Sequence, residues 1–124
     1  MRVLVCGGRN FSDRDMLYEH LDVMHRATPF SVVIHGDAAG ADTLAKEWAK
    51  SRGVKHLPFP AKWTEYGDAA GPIRNTQMLT EGVPDKVVAF PGGSGTANMV
   101  EQARREGVRV CIYGEGEKTG SLFG

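Results

Sequence analysis

Three short apolar runs, Val3-Leu4-Val5-Cys6, Ser31-Val32-Val33-Ile34-His35 and Lys86-Val87-Val88-Ala89-Phe90, each pass at once into glycine or Pro-Gly. Continuous β-branched runs of this length, without polar alternation, are buried on both faces, which is the habit of parallel strands covered by helices. Two weaker runs, 54–58 and 108–113, supply further strands. Helical spacing fills the gaps, over 14–27, 41–52, 73–81 and 97–106. Ser12 with Asp15 reads as a capping box opening the first helix, and Gly53 and Gly107 sit where a left-handed residue stops a helix. The strand–helix alternation predicts an α/β, Rossmann-like three-layer fold with an open parallel sheet of about five strands and right-handed crossovers. One domain is expected over 1–113, with a loose glycine-rich tail over 114–124.

Composition removes several function classes. Lys plus Arg and Asp plus Glu balance at 15 each, so there is no global field to gather nucleic acid. No apolar stretch is long enough to span a bilayer, and Met1-Arg2 runs straight into a strand without a secretory leader; a cytoplasmic protein that avoids membranes is expected. Cys6 and Cys111 both lie in apolar runs, which predicts buried reduced thiols. The four histidines, His20, His25, His35 and His56, show no metal-ligand spacing, so neither a metal nor a cofactor is expected.

In open α/β sheets a ligand sits beyond the carboxyl ends of the strands. The glycines cluster there: Gly7-Gly8-Arg9, the Gly36 to Asp42 segment with Gly40, and Gly92-Gly93-Ser94-Gly95-Thr96. The last is the sharpest signal, because glycines let main-chain amides turn toward an anion at the positive end of a helix. The competing reading is a tight strand-to-helix turn. No P-loop lysine and no G-x-G-x-x-G spacing is present, which argues against an ordinary ATPase or dehydrogenase. Asp42 has two readings: a first-turn carboxylate that favours its helix, or an acceptor for ribose hydroxyls or a base edge. The long connection 61–75 has the length of a functional lid. Within it Trp63 and Tyr66 can stack on a base, and Arg74 can hold a phosphate in its fork. A lone Trp can equally pin a loop to the core, and Arg9 and Arg74 can be plain surface charges.

Taken together, Gly7-Gly8-Arg9, His35-Gly36 through Gly40-Ala41-Asp42, Pro60-Ala61-x-Trp63, Ala70-Gly71-Pro72-x-Arg74-Asn75-x-x-Met78 and Phe90-Pro91-Gly92-Gly93-x-Gly95-Thr96 resemble the YspA/YpsA-related branch of the SLOG superfamily. The resemblance implies a nucleotide-derived ligand on Gly7, Gly8, Arg9, Gly36, Gly40, Asp42, Arg74, Asn75 and Gly92 to Thr96. It also implies a phage or mobile-element setting. The superfamily includes the Lonely Guy phosphoribohydrolases and the DNA-processing protein DprA. The former carry a Glu three residues after the Gly-Thr pair; here that position is Met99, which can exchange no proton. Glu101 lies about 200° further round a helix of roughly 3.6 residues per turn and faces elsewhere. A basic residue common before the glycine matching Gly40 is replaced by Ala39.

The sequence therefore favours a module that senses or sequesters a nucleotide. The alternative is a hydrolase of the N-glycosidic bond, with Asp42 or Asp37 standing in for the missing Glu. Single-stranded nucleic acid is argued against by the neutral charge, though Arg9, Lys62 and Arg74 form a local basic patch. Pairing into a homodimer is expected through the helix that carries Met78 and Leu79.

Overall fold

The computed structural model describes residues 1–114, so the expectation for the tail beyond Gly114 lies outside the described residues. Five strands, β1 (Arg2–Cys6), β2 (Val32–His35), β3 (Lys55–Pro58), β4 (Lys86–Ala89) and β5 (Arg109–Ile112), form one parallel sheet in the order β3-β2-β1-β4-β5. The helices are α1 (Arg14–Ala27), α2 (Ala41–Ser51), the short α3 (Trp63–Tyr66), α4 (Ala70–Gly82) and α5 (Ser94–Arg105), with a 3-10 turn over Gly67–Ala69.

Strand alternation divides the core into two halves. Val3, Val5, Val33, Val88 and Phe90 face one way and pack with Leu17 and Leu21 of α1 and Ala45, Trp48 and Ala49 of α2. Leu4, Cys6, Val32, Ile34, Val87 and Ala89 face the other way, against Met78 and Leu79 of α4 and Met99 and Ala103 of α5. The chain reverses direction across the sheet between β1 and β4, and this opens a crevice between the loops that follow them. A peg joins α1 to α2: Asp22 accepts from Trp48 Nε1 at 2.9 Å and from both Nε and Nη2 of Arg52. Those Arg52 bonds hold the Asp22 carboxyl down to about 2.

Several boundaries differ from the sequence reading for physical reasons. α4 starts at Ala70 instead of Ile73, because Pro72 lies in the first turn, where a missing N–H costs no bond. The 61–75 connection is therefore mostly helical and not an open lid. α5 starts at Ser94 instead of Ala97, with Gly93 as its N-cap. The first helix is capped by Asp13, which accepts from the Met16 amide at 3.1 Å, and not by Ser12. Gly53 and Gly107 do adopt positive φ after α2 and α5. Cys6 is buried as expected, whereas Cys111, on the edge strand β5, is only half-buried. Met78 and Leu79 face the sheet, so the expected homodimer loses them as its contact.

Candidate functional site

The three glycine loops interlock at the carboxyl edge of the sheet. The Gly8 amide donates to Pro91 O at 2.9 Å, and Gly8 O accepts from Phe11 and from Ala41 at the start of α2. Such close main-chain contact leaves no room for side chains. A Cβ on Gly92 would meet Thr96 Oγ1 and, at 2.6 Å, the Gly8 nitrogen. Gly40 has φ +76° and backs onto the Gly8 and Arg9 carbonyls, and a Cβ on Gly7 would lie 2.5 Å from Ala41 Cβ. Gly93 and Gly95 differ: a Cβ on either would meet open space. The glycines thus differ in what surrounds them. Gly7, Gly8, Gly40 and Gly92 are required by packing, while Gly93 and Gly95 leave the N-terminus of α5 uncovered.

That N-terminus opens on a cavity of about 610 Å³ walled by Cys6, Gly7, Gly8, Arg9, Asp42, Trp63, Arg74, Asn75 and the Gly93 to Thr96 segment. Among the described residues no side chain caps α5 and its first turn holds no acid, so none of them satisfies its first amides or opposes its positive dipole end. Arg74, one turn into α4, reaches inward across the cavity floor. Its Nη1 donates to Gly36 O at 2.6 Å and weakly to Phe59 O at 3.4 Å, and its Nε donates to Asn75 Oδ1 at 3.1 Å. Nη2 has no acceptor among the described residues. Buried Asn75 donates in turn to Gly95 O at 3.2 Å and Asn98 Oδ1 at 3.1 Å, so its amide fixes α4 to the first turn of α5.

Asp42 is buried at the start of α2, its Oδ2 accepting from the amides of Gly36 (3.1 Å) and Ala38 (3.3 Å). Burial pushes the carboxyl up to about 6, against the pull of those amides and of Arg74. A raised acid contributes stability below its unfolded value of 3.8 that is lost as pH rises through 6. Holding Asp42 ionised at neutral pH therefore costs roughly 3 kcal/mol at most. Burial also lowers Arg74 from its ordinary value, with Asp42 opposing and Arg9 assisting, and raises the Cys6 thiol well out of the reactive range.

At the cavity wall the Arg9 guanidinium lies 5.2 Å from the centroid of the Trp63 ring. Trp63 is 46% exposed, so it does not pin its loop to the core. Tyr66 is also exposed but does not line the cavity. Gly36, Gly40 and Gly92 lie behind the wall and support it. Asp37 turns away to Lys46, with 3.7 Å between Oδ1 and Nζ, and forms no part of the wall. Met99 is fully buried in the core and also absent from it. Two polar lining residues, Asp68 and Asn98, escaped the sequence reading. Asn98 follows Ser94 by one helical turn and could have been found from that spacing. A second, mostly apolar groove of about 730 Å³ runs along the other side of α5, past Val100, Ile112 and Tyr113, and shares Gly93 and Thr96 with the first.

A family model described as the YspA, cpYpsA-related SLOG family matches residues 1–66, which include the first two glycine loops, Asp42 and Trp63. The chain belongs to that SLOG family. A relative from Mycobacterium phage D29, the "Gene 61 protein", is 36% identical over 122 residues, covering 92% of this chain and 97% of the relative. A phage-encoded relative agrees with the mobile-element setting that the family resemblance implies. Among the described residues, no helix of this SLOG protein is long and apolar enough to cross a membrane.

Proposed function

We propose that the cavity binds a nucleotide or nucleotide-derived ligand, its phosphate on the amides of Ser94, Gly95 and Thr96 and on Arg74. Its base would lie against Trp63. The observation that carries this reading is the uncapped, acid-free start of α5 opening into the same cavity as the inward-turned Arg74. The costly burial of Asp42 beside Arg74 supports it, since charged groups held against their solvation preference gather at ligand sites.

Magnitudes narrow the ligand class. A helix N-terminus contributes about 0.3–2 kcal/mol to an anion and a charge-assisted Arg bond about 1.5–3. Together these reach about millimolar binding at best, so inorganic phosphate alone is a weak ligand. Stacking one base adds about 1–3 kcal/mol, and hydrogen bonds from ribose to Asp42 bring a complete nucleotide toward the micromolar range. A base that takes the Trp63 face covered by Arg9 displaces that guanidinium at a cost of about 0.5–1 kcal/mol and frees it for phosphate. Calorimetry against nucleoside monophosphates, cyclic nucleotides, ADP-ribose and inorganic phosphate tests the reading. At least one nucleotide should bind about a hundredfold more tightly than phosphate; folded protein that binds none of them contradicts it.

The buried Asp42 supports a second reading, hydrolysis of an N-glycosidic bond with this carboxyl as proton carrier, because a carboxyl titrating near 6 suits acid–base work at neutral pH. Chromatography decides between the two. Free base released by the native protein but not by Asp42→Asn would favour the hydrolase, and unchanged nucleotide would favour the binder.

A further inference from the structure

His35 is fully buried and does not line the cavity, yet it holds the loop on which the cavity depends. Its Nδ1 lies 3.0 Å from the Asp37 amide and accepts that N–H, so this nitrogen is bare and the ring proton sits on Nε2. Nε2 lies 3.0 Å from Nδ1 of His56 on β3, so it donates there, and His56 in turn carries its proton on Nε2. The ring centroids are 5.2 Å apart and the planes 24° from parallel, an edge-to-edge arrangement that suits an in-plane bond between the two nitrogens. The residue between His35 and Asp37 is Gly36, whose amide holds Asp42 and whose carbonyl holds Arg74. Asp37 itself has φ +54°, a left-handed conformation that a non-glycine residue keeps only when its surroundings enforce it.

We propose that His35 and His56 form a positioning relay for the Gly36 to Gly40 loop, presenting Gly36 to Asp42 and Arg74 only while Nδ1 of each ring is a bare acceptor. The purpose of the relay rests on the ligand reading above, but its test does not. A proton on His35 Nδ1 would face the Asp37 N–H, and a proton on His56 Nδ1 would face the His35 Nε2–H. Either places donor against donor and removes the anchor.

The charged and titratable groups acting on His35 are His56 on β3, Asp37 on its own loop and Lys46 on α2. Burial, then His56, lowers His35 to about 4, with Asp37 opposing and Lys46 assisting. A lowered histidine contributes stability that is present above its unfolded value of 6.5 and lost as pH falls toward 4. Acid therefore loosens this loop, the reverse of the trend set by Asp42.

Nitrogen-resolved NMR on the ligand-free protein tests the relay. At neutral pH, Nδ1 of both rings should report as unprotonated and Nε2 as protonated, and the Gly36 and Asp37 amides should shift together with the His35 ring as pH is lowered. His56→Asn places an oxygen near the position of Nδ1. It should preserve the His35 tautomer and the loop amides. His56→Leu removes the acceptor and should speed Gly36 amide exchange by about tenfold at neutral pH. Nδ1 of His35 found protonated in the native protein, or Asn and Leu variants that behave alike, would overturn the proposal. The native ring measurement stands even where a variant fails to fold. No ligand is present, so a negative result here is separate from failure of the nucleotide reading.

Discussion

Arg74→Ala should weaken nucleotide binding by one to two orders of magnitude while the sheet stays folded. The variant loses charge-assisted bonds of about 1.5–3 kcal/mol to a phosphate, at about 1.4 kcal/mol per factor of ten. Calorimetry of the variant against the tightest nucleotide reads the effect directly. Arg74→Lys should recover little, because an ammonium cannot hold Gly36 O and a phosphate oxygen in one planar fork. A second signature distinguishes this variant from general damage. Arg74 pulls the Asp42 carboxyl down, so its removal should drive Asp42 above its present value of about 6, visible in a carboxyl titration by NMR. Undiminished binding in Arg74→Ala would remove the guanidinium from the account.

Gly92→Ala should carry the largest stability cost among the glycine substitutions in the last loop. The added methyl meets the Gly8 nitrogen at 2.6 Å, a main-chain atom that cannot step aside without parting the first and third loops. Overpacking of this kind costs about 1–3 kcal/mol, and for a domain of this size each kcal/mol lowers the melting temperature by roughly 3–6 °C. Gly95→Ala should act the other way. Its methyl would enter open space in the first turn of α5, and restricting the unfolded chain gains about 0.4–1 kcal/mol. The pair of melting curves thus separates glycines required by packing from those that keep a site open. Equal losses in both variants would refute that division.

The fold was legible because its signals are local and agree with one another. Val3 to Cys6, Val32 to Ile34 and Val87 to Ala89 are uniformly apolar, as parallel strands covered on both faces are, and the glycines that follow them mark the carboxyl edge where loops converge. The elements went astray where a residue has two local meanings. Pro72 and Gly95 read as turn formers, yet both are compatible with a helix's first turn, so α4 and α5 each start three residues early. The candidate site was legible as a set of positions, because strand ends bring them together whatever their roles. The roles themselves were not. Which glycines face space and which face backbone depends on contacts between loops far apart in the chain, as between Gly8 and Pro91. The His35–His56 pair was invisible for a related reason. It needs the register of β2 against β3, which pairs Val33 with His56 and so puts His35 two residues further along the same face.

The central claim is that the bare start of α5 receives the phosphate. An amide-resolved NMR titration with adenosine monophosphate, and separately with pyrophosphate, tests it most directly. The account predicts the largest shifts at the amides of Ser94, Gly95 and Thr96, accompanied by the Arg74 side-chain Nε–H. Saturation that leaves these signals unmoved, or moves instead those of Val100 and Ile112 in the neighbouring groove, would contradict it.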